Sequence, residues 1–296
     1  MRICSLLPSA TETVFALGLG DRLVAVSEEC DFPAEARALP RVTASRVDTR
    51  TLDSRAIDDA VRAAIADGRS LYTVDAEAIE RLAPDVILTQ DLCEVCAVSS
   101  ADVATLCPVA ARTVSLDPRS LAEVAESIRI LGRELGAAER GEALAAAFES
   151  TIAGIRRAVA GLRRPRVFVN EWLEPPYAAG HWVPEMVDAA GGEEIFDLAG
   201  QPSRPTTWDE ALARAPEVVV LAACGYDAER IATEARAVGL PPLPCDVVAV
   251  DANAYFSRPG PRLADGVVQL GHLLHPDAVP DPGLAFVDVA RSPVGR

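Results

Sequence analysis

The sequence predicts an α/β protein with parallel sheets in two blocks, and three observations predict it. Short β-branched runs with few polar interruptions recur in both halves, as they do in strands buried on both faces. Helical patterns alternate with these runs. A stretch of Ala, Leu, Glu and Arg without proline, residues 120–164, separates one set from the other.

The strand-like runs, in order, are "RICSLL" (2–7), "RLVAVS" (22–27), "DVILTQ" (85–90) and "RTVSL" (112–116), then "RVFVNEW" (166–172), "EVVVLAA" (217–223) and "DVVAVDA" (246–252). "GLGD" (18–21) reads as a helix-ending turn. In the separating stretch Leu144, Phe148, Ile152 and Ile155 recur at helical spacing, so two consecutive helices are expected, broken near "GAAERG", with Pro165 stopping the second. A long helix there acts as a strut between the blocks. "ERLAPDVILTQ" (80–90) and "LARAPEVVVLA" (212–222) resemble each other, which suggests a degenerate repeat or convergence of two α/β units on one pattern. The expected division is an N-terminal lobe over 1–119, a helical linker over 120–164, a C-terminal lobe over 165–275 and a loosely attached Pro/Asp-rich tail over 276–296.

Composition excludes several functions. A formal charge of −16, from 44 acidic against 28 basic residues, would repel a phosphate backbone, so nucleic acid is not an expected partner. Every basic residue is Arg, which removes a P-loop lysine, a Schiff-base lysine and an S-x-x-K nucleophile. No run of about 18 uncharged apolar residues occurs, so no membrane span is expected. Pro8, Ser9, Thr11, Glu12 and Thr13 interrupt the apolar start before a signal-peptide core forms, and seven irregularly spaced cysteines fit a reducing compartment. As written the chain reads as cytoplasmic; a misassigned start would make it periplasmic or cell-surface.

Cys93 and Cys96 form a C-x-x-C after a strand and admit three readings: thiols lining a cleft, half of a metal site, or a redox pair. Four zinc ligands cannot be collected locally, Cys107 being the nearest addition, so no structural metal is expected. No G-x-S-x-G, G-x-G-x-x-G or H-E-x-x-H is present, and His272 and His275 sit near a helix end as capping or surface residues. No catalytic residue is assigned, and the chain is not expected to be an enzyme.

"NEWLEPPYAAGHWVPEMVDAAGG" (170–192) concentrates aromatics and one of three histidines between a strand and a helix entered through Pro184. Loops at the carboxyl ends of parallel strands are where α/β proteins bind ligands. Taken alone, Trp182 reads equally as a ligand wall or a core anchor. Alongside it, "LPSATET" (7–13), "EECDFP" (28–33), "TASRVDT" (43–49), "TQDLCEVC" (89–96) and "DANAYFSRPGPR" (251–262) bring aromatics and small polar groups to strand ends. Together they suit a large, flat, partly apolar ligand.

At "RICSLLPSATETVFALGLGDRLVAVSEECDFP", "LAPDVILTQDLCEVCAV", "EWLEPPYAAGHWVPEMVDAAGG" and "DANAYFSRPGPRL" the chain resembles the cobalamin-binding, periplasmic-binding-protein-like family, over about residues 2 to 275. That family comprises ABC-transporter substrate-binding proteins for cobalamin, haem and iron siderophores. The resemblance implies two Rossmann-like lobes bridged by a long helix, with a cobalamin or related corrinoid clamped between them. It puts Pro8, Ser9, Ala10, Thr11, Glu12, Phe32, Gly180, His181, Trp182, Tyr255, Phe256 and Arg258 on ligand-facing loops. Glu94 and Glu229 become the acids that would engage an ABC permease. Trp182 and Phe256 are expected to stack on the ligand, each contributing about 1–3 kcal/mol. For His181 three roles stand: an axial metal ligand, a polar contact, or no contact. Haem or siderophore binding is the alternative ligand class, and a cytoplasmic thiol- or metal-dependent enzyme on the same scaffold the alternative function.

Overall fold

The computed structural model describes residues 1–91, Thr105 and 110–291. Cys93, Glu94, Cys96 and Cys107 lie outside the described residues. The chain forms two compact units, the first of Met1–Leu52, Ala56–Pro118 and Glu123–Ala146, the second of Asp53–Arg55, Arg119–Ala122 and Ala147–Arg296.

In the first unit β1 (Ile3–Ser5), β2 (Leu23–Val26), β5 (Val86–Thr89) and β6 (Arg112–Ser115) form a wholly parallel sheet in the order β2-β1-β5-β6. Alternation along the strands divides its core. Ile3, Val86 and Leu88 pack on one face with Val14 and Leu17 of α1 (Pro8–Ala16) and Leu131 of α4 (Leu121–Glu134). Cys4 and Ile87 pack on the other with Ile79 of α3 (Ala76–Leu82) and Val42. Two buried faces are the reason these strands read as continuous apolar runs. α1 starts with Pro at its first turn and ends before Gly18, whose φ of +65° closes the expected turn. The antiparallel pair β3 (Thr43–Ser45) and β4 (Tyr72–Val74), with α2 (Ser54–Ala66) between them in sequence, was not foreseen; these strands are three residues each and partly exposed, so no apolar run marks them.

α4 and the 21-residue α5 (Ala138–Ala158) are the two helices expected in the separating stretch. α5 belongs to the first unit up to Ala146 and to the second from Ala147. α4 and α5 approach at a glycine pair: a Cβ on Gly132 would stand 2.7 Å from the Gly141 Cα.

In the second unit β7 (Arg166–Trp172), β11 (Val218–Leu221) and β12 (Asp246–Val250) run parallel. Short β9 (Glu193–Glu194) also pairs in parallel, against the start of β7. The parallel core β9-β7-β11-β12 thus repeats the form of β2-β1-β5-β6. The sheet is nonetheless mixed rather than parallel throughout, because β8 (Tyr177–Ala178), β10 (Arg204–Pro205) and β13 (Phe286–Ala290) add antiparallel pairings. β13 lies in the stretch expected to be a loose tail. Its residues are half-buried or exposed, an edge-strand pattern that carries little sequence signal. α6 (Val183–Ala189), α7 (Trp208–Ala213), α8 (Ala228–Val238), α9 (Ala252–Tyr255) and α10 (Leu263–Leu274) complete the unit.

The two similar segments build the same joint in each unit. Arg2 Nε donates to the Leu82 carbonyl at 2.8 Å, and Arg166 Nε donates to the Ala215 carbonyl at 2.7 Å. The backbone N–H of Arg2 donates to Asp85 Oδ2 at 2.7 Å, and that of Arg166 to Glu217 Oε2 at 2.9 Å. Ala83 and Ala215, each just before the proline, both take a left-handed conformation, with φ of +41° and +51°. An arginine opening the central strand is therefore tied to a helix end and to the acid opening the next strand, twice.

The glycine pair yields a paired expectation. Gly132→Ala should destabilise the protein by about 1–3 kcal/mol through overpacking. Gly154→Ala, in α5 with only the Arg157 side chain 4.0 Å away, should stabilise it by up to about 1 kcal/mol. Chemical denaturation of both variants checks the contrast.

Candidate ligand-binding loops

In each unit the chain leaves the central strand toward one neighbour and returns on the other side, at β1/β5 in the first and β7/β11 in the second. Loops at the carboxyl ends of these strands are the ligand-receptive edge of an open α/β sheet.

In the first unit this edge carries the start of α1 and the loop after β2. Pro8 is half-buried, and Ser9, Ala10, Thr11 and Glu12 are buried. Thr11 Oγ1 donates to Ser5 Oγ at 2.8 Å and lies 3.1 Å from Cys30 Sγ, which is itself 3.2 Å from Ser27 Oγ. This polar cluster fastens the 27–33 loop from behind. Phe32 stands on its outer side, 44% exposed.

The second unit gathers more of the expected residues. A Cβ on Gly180 would stand 2.6 Å from Ser203 N and 2.7 Å from Pro202 C, and would also strike the Gln201 carbonyl oxygen, so only glycine fits. His181 follows with φ of +51°, a conformation costing a non-glycine residue about 1–2 kcal/mol. Its N–H donates to the Gln201 carbonyl at 2.7 Å, and its carbonyl accepts from Gly200 N at 2.9 Å. The half-buried imidazole stacks on the Trp182 ring, centroids 5.7 Å apart and planes 30° apart. Burial, then the nearby Arg119 charge, lowers its pKa from the ordinary histidine value, so the ring is neutral at neutral pH.

Trp182 Nε1 donates to the Phe256 carbonyl at 2.8 Å, which joins the two motifs. Trp182 is 5% and Phe256 2% exposed, so both side chains are buried. Tyr255 is half-buried with the Arg262 guanidinium 5.6 Å from its ring centroid. Arg258 is buried and donates to Asn253 Oδ1 at 2.8 Å. Glu229 is exposed in the first turn of α8. His272 and His275 bond to the backbone carbonyls of Val279 and Gly191, and His275 caps α10.

Sequence reasoning passed over Trp172 and Tyr226, at the carboxyl ends of β7 and β11. Their rings lie 5.4 Å apart, with the Arg230 guanidinium carbon 3.6 Å from the Tyr226 centroid. Burial pushes the Tyr226 hydroxyl up to about 12. Trp172 was visible in the same stretch as His181; Tyr226 follows a buried strand in "CGYD" and had no second signal. Among the described residues no group of three or more His, Cys, Asp and Glu is placed to hold a metal ion, and no helix is long and apolar enough to cross a membrane.

Two α/β units whose sheets each present such loops at one edge define the class, a two-unit α/β protein of the periplasmic-binding type. The chain belongs to the Periplasmic binding protein family, which matches residues 3–241. It is 28% identical over 275 residues to the vitamin B12-binding protein of Vibrio cholerae serotype O1, covering 91% of this chain and 87% of that one. The vitamin B12-binding protein of Yersinia pestis is 26% identical over 274 residues, covering 91% and 84%. Among solved structures, the periplasmic vitamin B12 binding protein BtuF of Vibrio cholerae superposes with a TM-score of 0.66 at 26% identity, covering 92% and 96%. A periplasmic heme binding protein from Pseudomonas aeruginosa reaches 0.74 at 21% identity over 98% and 99%, a likeness of fold.

The burial of Trp182 and Phe256 fixes how their variants should behave. Ala substitution of either should cost about 3–5 kcal/mol of stability, visible as a lowered melting temperature without any ligand. Unchanged melting in both would return these rings to the ligand.

Proposed function

We propose that this protein is the substrate-binding component of an ABC transporter, acting outside the cytoplasmic membrane, and that it binds a cobalamin-type corrinoid at strand-end loops. The observation that carries the reading is the 28% identity to a vitamin B12-binding protein across 91% of the chain. The character of the strand-end loops supports it. Phe32 and Tyr255 offer aromatic surface, Pro8 stands half-buried at the start of α1, and Gly180 and His181 form a fixed turn. A corrin ring is large, flat and apolar on its faces, with amides at its rim. Aromatic faces and a few polar groups held rigidly are what binds such a molecule without ordering cost.

His181 is the residue with the sharpest role. A neutral imidazole can replace a water on cobalt or iron, or accept a hydrogen bond from a peripheral amide. Glu229 and Glu94 are the acids proposed to meet the permease. Glu229→Arg should lower uptake in cells while leaving ligand affinity unchanged.

Titration with hydroxocobalamin, aquocobinamide and haemin, read by visible absorbance and tryptophan fluorescence, tests the ligand class. One-to-one binding of a corrinoid is expected. Tight haemin binding with no response to either corrinoid would place the protein with haem carriers. With aquocobinamide, a band shift seen in the native protein and lost in His181→Ala identifies axial ligation, and an unshifted spectrum at saturation assigns His181 to the wall of the site.

A further inference from the structure

The turn that presents His181 is held from one side by a chain of hydrogen bonds that runs back to the central strand. The N–H of Gly180 donates to Ser203 Oγ at 3.0 Å, and Ser203 Oγ donates to Glu171 Oε2 at 2.5 Å. Glu171 is in β7, so one end of the chain is fixed in the sheet. On the other side, the His181 N–H and carbonyl bond to Gln201 and Gly200, in the same 200–203 segment that Ser203 anchors. His181 therefore takes its left-handed conformation inside a frame that Ser203–Glu171 links to the sheet. No charged partner faces Glu171 in these bonds; burial raises its carboxyl from the ordinary value, while the Ser203 and Gly180 bonds oppose the rise. A buried carboxyl is costly unless it is hydrogen-bonded, and Ser203 supplies such a bond here.

We propose that Glu171, acting through Ser203, is the positioning residue that sets the Gly180–His181 turn and so determines how the imidazole meets the ligand. The assignment rests on the reading of His181 as a ligand contact. Glu171 touches no ligand itself. Its carboxylate accepts the Ser203 proton donor, which orients the hydroxyl oxygen's lone pair toward the Gly180 amide. A glutamine can accept the same bond and an alanine cannot.

The test compares Glu171→Gln, Glu171→Ala and Ser203→Ala in the full chain, with two readouts. Amide hydrogen exchange without ligand reads the turn alone: Gly180 and His181 should exchange at least tenfold faster in Glu171→Ala and Ser203→Ala. They should stay near native in Glu171→Gln, while the amides of β11 are unchanged in all three. Aquocobinamide affinity should fall at least tenfold in the two alanine variants and be retained in Glu171→Gln. Unchanged exchange at Gly180 and His181 in both alanine variants would overturn the proposal. So would faster exchange with native affinity. If the native protein binds neither aquocobinamide nor haemin, the ligand reading fails, and the exchange arm still decides whether Glu171 sets the turn.

Discussion

A parallel sheet buried on both faces constrains everything else in this protein. Neighbouring parallel strands can be joined only by crossovers, so the loops that follow the parallel strands of a sheet emerge at the same edge of that sheet. In both units the crossing is pinned by one device, an arginine at the start of the central strand bonded to a helix-end carbonyl and to the acid of "PD" or "PE". Because Arg2 and Arg166 fix the strand starts, the strand ends are fixed too. The edge that carries the Phe32 loop follows from that, whereas His181 comes after β8, which turns back antiparallel to β7.

The loops are held from within rather than left open. In the first unit Thr11, Ser5, Ser27 and Cys30 lie together behind the Phe32 loop. In the second, the Trp182 indole bonds to the Phe256 carbonyl, and Asp251 caps α9 by accepting from Ala254 N at 2.8 Å. Such contacts pre-organise a surface, so that little conformational freedom is lost when a ligand arrives. His181 is one of four described non-glycine residues in a left-handed conformation, with Ala83, Asp197 and Ala215, and it stands beside a glycine that nothing larger could replace.

Much of this was legible in the sequence. All seven expected strands are present, because burial on both faces leaves uninterrupted β-branched runs, and the two helices of the separating stretch follow its apolar spacing. The resemblance of the "LAPD" and "RAPE" segments is matched by similar joints, with the carbonyl acceptor shifted by one position between them. What escaped was half-exposed or built from distant parts. β13 sits in a stretch whose prolines and aspartates read as a tail, and its alternation is short. The Ser203–Glu171 link joins positions 32 residues apart through one hydroxyl, which no local pattern announces. The residues expected to face a ligand differ in burial: Ser9 to Glu12, Trp182, Phe256 and Arg258 are buried, Phe32 is exposed, and His181 and Tyr255 are half-buried. Aromatic residues that anchor a loop and those that meet a ligand have the same composition, and only packing separates them.

Corrinoid binding at the strand-end loops is read by hydrogen–deuterium exchange with and without saturating hydroxocobalamin. Slowed exchange is expected in residues 179–182 and 252–258, with the strands beneath them unchanged. Slowing confined to β13, or none at either loop, would contradict the proposal.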